Sequence, residues 1–507
     1  MLHMNNNTYK GTVDALNHIE SQLPVHTFQV DGIKVWPYIR LSIKNKIDSY
    51  FFIQKRQTVK AKIKKPSVLF LKQLGNTVLA FCLLLFKFPW LTFYKKSCTD
   101  LLAVCFNSSY LEVGDKRINR HLVGLLPENG KQSLINYKVL ERTEPRKKVK
   151  QKGGNNLNIT LLTTAINELC KLRILFDELL SKNQDTFAFV DDINQELAYL
   201  NIPVRLECHK VYNEIKRVIL LSSIFEKYLA RNKIKKVLII CYYSYIGMAV
   251  MLACRKSNIR AIEYQHGAQT EYHPMYTNWT NVPSDGYEML PEQFWLWGRA
   301  TQAILNQWTD KQSFHTTKVV GNTWLPYFNR ALDINKIQKK SPSISADKKI
   351  ILISLQGFPG HYNSFVTQVM EGAPDNWYWI IKEHPRAPLS EKQIEDEFGN
   401  LKTNNWHIER NLSTYEMIST LPIRVHLTAF STVAFECEFY GIPTIFYHKN
   451  GWLGYENLIK STPHLLFAFD KKTLTSNIQN AMKLDEIEPV FMAKEVSFVV
   501  EIENQLN

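Results

Sequence analysis

Short apolar runs alternate with amphipathic stretches along most of this chain, and the clearest such unit is Ile423 to Tyr447, IRVHLTAFSTVAFECEFYGIPTIFY. Val425 and Leu427 belong to one apolar run, Ser431 stands where a helix N-cap is expected, and Gly441 and Pro443 stop the helix before Thr444 to Tyr447. The pattern predicts strand, turn, helix and second strand. The same rhythm places upstream strands at Asp100–Phe106, Val237–Cys241, Ala261–Tyr264, Gln293–Gly298 and Lys318–Gly321, and helices at Ile159–Leu180, Val211–Arg231 and Tyr245–Lys256. A second set follows: strands at Ile350–Leu355, Trp379–Lys382, Arg424–Leu427 and Thr444–Phe446, with helices near Asn363–Glu371, Ser390–Phe398, Tyr415–Thr420 and Val433–Tyr440. Strands separated by helices argue parallel, doubly wound α/β sheets covered on both faces. No repeat of solenoid period is present.

The charged, Ser/Pro-bearing stretch Lys336–Lys349 breaks the rhythm and reads as an interdomain linker. The organisation expected is a helical lead-in at 1–65 anchored by Trp36, Tyr38 and Ile39, an N-terminal Rossmann-like domain at 66–335, the linker at 336–349, a C-terminal Rossmann-like domain at 350–485, and a tail at 486–507 packing back. Arg146–Asn158 reads as a basic Gly/Asn-rich loop.

Composition narrows the partners. With 507 residues, 45% hydrophobic and 12% aromatic, the chain is globular, and 62 Lys and Arg against 47 Asp and Glu leave +15, which suits an anionic partner. No RNA-binding signature or basic helical stripe is visible, so nucleic acid is set aside. The eight cysteines (82, 98, 105, 170, 208, 241, 254 and 437) form no C-x-x-C pair, which fits a reducing cytosol and no structural zinc. The first residues carry no export pattern, so a cytoplasmic location is expected. Thr77–Tyr94, apolar but holding Lys87 and Pro89 and flanked by lysines, reads either as a segment lying on an anionic membrane surface or as a buried helix, and is marginal for a span.

Ligands of parallel sheets bind beyond the C-terminal strand ends, and three such loops of the second set carry chemistry. Ile350–Leu355 opens into Gln356-Gly357-Phe358-Pro359-Gly360, Trp379–Lys382 into Glu383-His384-Pro385-Arg386, and Arg424–Leu427 into Ser431-Thr432. Backbone donors, an imidazole, Lys382 and Arg386, and a helix N-terminus are parts suited to a phosphate. Glu436 lies four residues after Thr432 on the same helix face, where ribose hydroxyls could reach it. The plainer reading makes Ser431 a cap, Glu436 a solvated residue and His384 a turn histidine. In the first half, Gln265-His266-Gly267 follows a strand end. Asp191-Asp192 lacks the spacing of a metal-binding turn and reads as a solvated loop; no metal is expected.

His266-Gly267, Lys382-Glu383-His384-Pro385, and Ser431-Thr432 with Glu436 before Gly441-Ile442-Pro443 resemble the motifs of GT-B bacterial surface-polysaccharide transferases, over roughly residues 235 to 450. That broad group includes capsule and lipopolysaccharide Kdo transferases, bacterial sialyltransferases and CDP-glycerol glycerophosphotransferases. The resemblance implies two Rossmann-like domains facing a cleft, with His384 on the donor phosphate, Ser431 and Thr432 cradling it, Glu436 on the ribose, and Gly357, Lys382 and Arg386 also donor-side. It places His266 opposite, with Gln265, Gly267, Glu263 and Glu271 on the acceptor side. Gln265 departs from the group's pattern, and no acidic motif of the sialyltransferase type supplies the base. His266, Glu263 and Glu271 are therefore the candidates, and an imidazole with an ordinary pKa of about 6.5 favours His266. The activity implied is transfer of a sugar, preferably a CMP-linked acidic one, from a nucleotide-sugar co-substrate to a polysaccharide or lipid-linked glycan. It needs no other cofactor and would take place peripherally at the inner face of the cytoplasmic membrane. A CDP-polyol phosphotransferase and a non-catalytic scaffold of the same fold are the alternatives.

Overall fold

The structure is a computed structural model and describes residues 9–56, 100–106, 110–113, 116–123, 137–142, 156–158, 188–356, 364–384, 387–399, 401 and 405–493. Gly357, Pro385, Arg386, the expected helix at 159–180 and the segment at 77–94 lie outside the described residues, as does the tail beyond 493. Helices Tyr9–Gln22 and Trp36–Arg56 flank a small antiparallel ribbon of β1 (Gln29–Val30) and β2 (Ile33–Lys34). Asp31 and Gly32 turn it at φ of 52° and 75°, the left-handed pair that a two-residue hairpin loop requires.

Seven strands then build one parallel sheet: β3 (Leu101–Phe106), β6 (Tyr137–Arg142), β7 (Asn156–Asn158), β8 (Lys236–Ile239), β9 (Arg260–Tyr264), β10 (Gln293–Leu296) and β11 (Thr316–Val319). Between β3 and β6 the chain makes a separate antiparallel hairpin, β4 (Tyr110–Val113) with β5 (Lys116–Asn119). Six more parallel strands form the second sheet: β12 (Lys349–Ser354), β13 (Trp377–Lys382), β14 (Trp406–Ile408), β15 (Ile423–Thr428), β16 (Thr444–Phe446) and β17 (Leu465–Phe467).

The spatial orders are β11-β10-β9-β8-β3-β6-β7 and β14-β13-β12-β15-β16-β17. Numbered within its own sheet, each runs third, second, first, fourth, fifth, sixth, the first sheet adding a seventh strand at the edge. Each sheet therefore reverses direction once, between β3 and β8 and between β12 and β15, and such reversal points open the crevices where ligands sit. Two Rossmann-like domains facing a cleft make the GT-B arrangement, as the sequence predicts.

The central strands are buried on both faces, which is why KIILIS of β12 is a nearly continuous apolar run with only Lys349 exposed. Ser244, Ser390 and Ser413 cap the helices that follow them, the last two in reciprocal capping boxes with Gln393 and Glu416. The expected strands fall within a few residues of those observed. The hairpin β4–β5 and the strands β6, β7, β14 and β17 were not expected: β7, β14 and β17 have three residues each and β6 is charged. Asn156–Asn158 is thus a strand rather than the end of a loop. Asp191 and Asp192, expected in a loop, lie on the exposed face of helix Ala188–Tyr199, whose N-terminal turn favours a carboxylate. The linker region begins in the short helix Ile334–Gln338 and ends as β12 starts at Lys349.

The chain from Val490 to Ala493 touches both domains. Val490 and Phe491 donate their N–H groups to Glu438 at 3.1 and 2.9 Å, while Ala300 donates to the Val490 carbonyl and Ala493 to that of Trp297. Phe491 packs on Phe435 with ring centroids 3.9 Å apart. Gly298 permits this crossing, since a Cβ there would lie 2.4 Å from the Phe491 carbonyl carbon. Among the described residues no helix is long and apolar enough to cross a membrane.

The N-terminal helices share the first domain's core: Leu16, Ile19, Trp36 and Ile39 pack in one cluster with Val211, Phe225 and Met251. A buried ion pair lies in the same region. Arg40 and Glu20 are 0% and 1% exposed. Arg40 donates to Glu20 and to the carbonyls of Pro274 and Thr277 at 2.7 and 2.8 Å, and stacks over Trp279. Glu20 also accepts from Trp36 Nε1 and from the Thr280 amide and hydroxyl. Removing one member leaves the other charge buried and unpaired, so Arg40→Met should cost about 3–5 kcal/mol in denaturant unfolding, and Glu20→Gln with Arg40→Met together should cost less than the sum. A loss under about 1 kcal/mol for Arg40→Met would show that the pair is not holding these segments together.

Candidate functional site

The C-terminal edges of the two sheets meet around a cavity of about 50 Å³, more than the ~10–15 Å³ that one water needs. Its first wall comes from Arg120 and His121 after β5, Tyr264 at the end of β9, His266 and Gly267 just beyond, and Trp297, Asn322 and Trp324 after β10 and β11. Tyr415, Thr432 and Glu436 of the second domain close it. The structure thus brings His266, Gly267, Thr432 and Glu436 of the expected site residues to one cavity.

His266 follows β9 directly. Its Nε2 lies 3.2 Å from the Tyr243 hydroxyl, and its Nδ1 lies 3.9 Å from Glu263 Oε1. Burial first, and Arg120 second, lower its pKa to about 4, with the Ile240 backbone offsetting part of this. At neutral pH the ring is uncharged, but burial makes it a weaker base than the ordinary imidazole on which the sequence-based preference for His266 rested. Glu263 is not a base open to the cavity: it is 1% exposed, Oε1 accepts from the Tyr242 amide and the Tyr276 hydroxyl, and burial pushes its pKa well up.

Gln265 and Glu271 also leave the acceptor side. Gln265 is buried and clamps the turn, accepting from the Trp297 amide at 2.7 Å and donating to the Gly267 carbonyl at 3.0 Å. The Glu271 carboxylate reaches the second domain instead, where it accepts from the Asn457 amide and side chain.

The donor side needs larger corrections. Thr432, not Ser431, is the N-cap, and the helix that follows is only Val433–Phe439, seven residues. Its first amides are already engaged, Val433 with Ser431 Oγ, Ala434 with the Ser431 carbonyl and Phe435 with the Thr432 carbonyl. The free phosphate cradle expected there is largely absent. Lys382 Nζ donates to the carbonyls of Glu409 and Leu412 at 3.0 and 2.5 Å, so its charge is directed into its own domain. His384 forms a bridge with Ala387 at the end of β13 and does not line the cavity. Glu436 does line it, accepting from the Tyr415 hydroxyl at 2.9 Å, with its pKa raised by burial against the lowering pull of Tyr415 and Arg120.

Arg120 and His121 escaped the sequence reading because they match no motif. The available signal was a cation and an imidazole framed by Ile118 and by Leu122-Val123. His121 is 5% exposed, and burial, Arg120 and His266 hold its pKa well below the usual value. Its Nε2 lies 3.1 Å from Arg120 Nε, which donates to it. Among the described residues no group of three or more His, Cys, Asp or Glu is placed to hold a metal ion.

Burial lowers the pKa of several histidines together, His266 and His315 to about 4 and His273 and His426 to about 3. Unfolded, these groups titrate near ~6.5, so between that pH and about 4 the unfolded chain binds more protons than the folded one. Stability should therefore fall as pH drops below about 6.5 and level off only below about 3. Urea unfolding at pH 7.5, 6 and 5 checks this, and equal stability at all three would show that the rings are not buried neutral.

No family model matches the chain, and no curated protein matches it. Among solved structures it is similar to the UDP-GlcNAc 2-epimerase from Neisseria meningitidis bound to UDP-GlcNAc, at 14% identity over 80% of this chain and 100% of that one, with a TM-score of 0.47. It is also similar to the wall teichoic acid polymerase TagF, at 11% identity over 86% and 97% of the two chains and a TM-score of 0.42. A third similarity is to Anabaena HepE in complex with UDP, at 11% identity over 62% and 89% and a TM-score of 0.34. These identities and scores are low, so the site is read from this chain's own residues.

Proposed function

We propose that this protein transfers a sugar from a nucleotide-activated donor to a hydroxyl of a cell-surface polysaccharide or lipid-linked glycan. The observation that supports this most is the cavity between the C-terminal edges of two doubly wound sheets, with an uncharged imidazole on one wall and a hydroxyl and carboxyl one helical turn apart on the other. In this reading the acceptor hydroxyl lies against His266. As its oxygen bonds to the anomeric carbon, the bond from that carbon to the donor phosphate oxygen breaks, the electron pair leaves on the phosphate, and the acceptor proton passes to His266.

Thr432 and Glu436 are assigned to the donor, Glu436 with its Tyr415 partner facing the ribose. His384 is assigned to the donor as well, at one remove: β13 and β15 are two strand spacings apart, about 10 Å, which a bound nucleotide can span. A CMP-linked acidic sugar, and action at the inner face of the cytoplasmic membrane, follow from the sequence resemblance and the +15 charge.

The reading is tested by nucleotide release from CMP-, UDP-, GDP- and dTDP-sugars and from CDP-polyols, with and without a lipid-linked glycan extract. Release confined to CDP-polyols would move the activity to polyol phosphate transfer, and none from any donor would favour a scaffold. With an active donor, His266→Ala should lower turnover by about 100-fold or more in a folded protein, the usual cost of losing a general base. Glu436→Ala should chiefly raise the donor KM, because ribose contacts are alike in ground and transition states. Near-normal turnover for His266→Ala would remove it from the chemistry, and a collapsed kcat with unchanged KM for Glu436→Ala would place that carboxyl at the reacting centre.

A further inference from the structure

We infer that Arg120 is the anion receptor of the interdomain cavity and binds the phosphate of the donor. The inference rests on the transferase reading for the identity of its ligand, but the receptor itself stands on geometry. Arg120 lines the cavity from the first domain, across from Thr432 and Glu436 of the second. Its Nε is fixed by His121 at 3.1 Å, while among the described residues Nη1 makes one long contact, 3.4 Å, to the Tyr415 hydroxyl. Glu436 is the carboxyl that feels its charge, and Arg120 approaches it by way of the Tyr415 hydroxyl rather than through a direct hydrogen bond. A guanidinium held in place on one edge, with its other edge short of a charged partner, is a fork matched to two oxygens of a phosphate.

The neighbouring groups sharpen this. His121 is buried, and its depressed pKa keeps it neutral, so it can accept from Arg120 rather than repel it. His266 is neutral for the same reasons. Both rings therefore leave the guanidinium as the charge an incoming anion meets on that wall. Among the described residues, two of the second-domain groups expected to take the phosphate are otherwise occupied: Lys382 by the carbonyls of Glu409 and Leu412, and the first amides of helix Val433–Phe439 by Ser431 and Thr432. Because Arg120 also reaches Tyr415, whose hydroxyl donates to Glu436, a phosphate bound there would sit beside the ribose-facing carboxyl. As the sugar leaves, charge grows on the phosphate, and the same guanidinium would stabilise it.

The test compares wild type with Arg120→Gln and Arg120→Lys, first confirming by circular dichroism and unfolding midpoint that each folds. Calorimetry with cytidine, CMP, uridine and UDP gives the affinity that the phosphate adds to each nucleoside, and thermal shifts with sodium pyrophosphate probe the anion alone. The expected result is that Arg120→Gln loses the phosphate increment, at least about tenfold, while nucleoside affinity stays unchanged, and that Arg120→Lys recovers part of it. Stabilisation by pyrophosphate should vanish in Arg120→Gln. Unchanged nucleotide affinity in Arg120→Gln would overturn the inference. If wild type binds no nucleotide but loses its pyrophosphate response in Arg120→Gln, the receptor stands and the transferase reading falls.

Discussion

The Arg40–Glu20 ion pair is the contact on which the first wall of the cleft depends. Two charges taken wholly out of water cost several kcal/mol each, and the pair is tolerable because nearly every donor and acceptor on it is used. Arg40 grips the carbonyls of Pro274 and Thr277, and Glu20 grips Thr280. Between those grips lies Tyr276, whose hydroxyl donates to Glu263, and Glu263 lies under His266. The N-terminal helices, which hold no cavity residue, thereby fix the segment that backs the imidazole.

The same burial decides the electrostatics of the site. Aromatic rings of Tyr242, Tyr243 and Tyr276 crowd the space behind His266. Desolvation opposes the charged form of every titratable group, so the histidines lose their protons and Glu263 holds its own. The cavity is left with uncharged imidazoles, the Arg120 guanidinium and the Glu436 carboxyl, so among the described residues lining it Arg120 is the group that can meet an anion with a full positive charge. The crossing chain at Val490–Ala493, bound to Glu438 on helix Val433–Phe439 and to Trp297 and Ala300 opposite, ties the two walls together.

Much of the fold was legible because parallel strands buried on both faces read as nearly continuous apolar runs, as in Lys349–Ser354. The three-residue edge strands were not, since so few positions carry no period. His266, Thr432 and Glu436 could be found because strand ends of such sheets converge on one edge. The local details could not. Whether Lys382 points to a ligand or to the Glu409 and Leu412 carbonyls, and whether Ser431 or Thr432 caps the helix, depends on backbone geometry a few residues away in space. Arg120 was hidden most completely, because its meaning comes from Tyr415, 295 residues further along, and from Glu436 beyond it, both brought beside it by the packing of one domain on the other.

The central claim is that the cleft binds a nucleotide, and a thermal-unfolding screen of CMP, CDP, UDP, GDP and dTDP tests it most directly. A nucleotide present at 100 times its Kd should add about 2.7 kcal/mol of stability, a rise of a few degrees in the midpoint, for one base in preference to the others. No rise with any of the five would contradict the account.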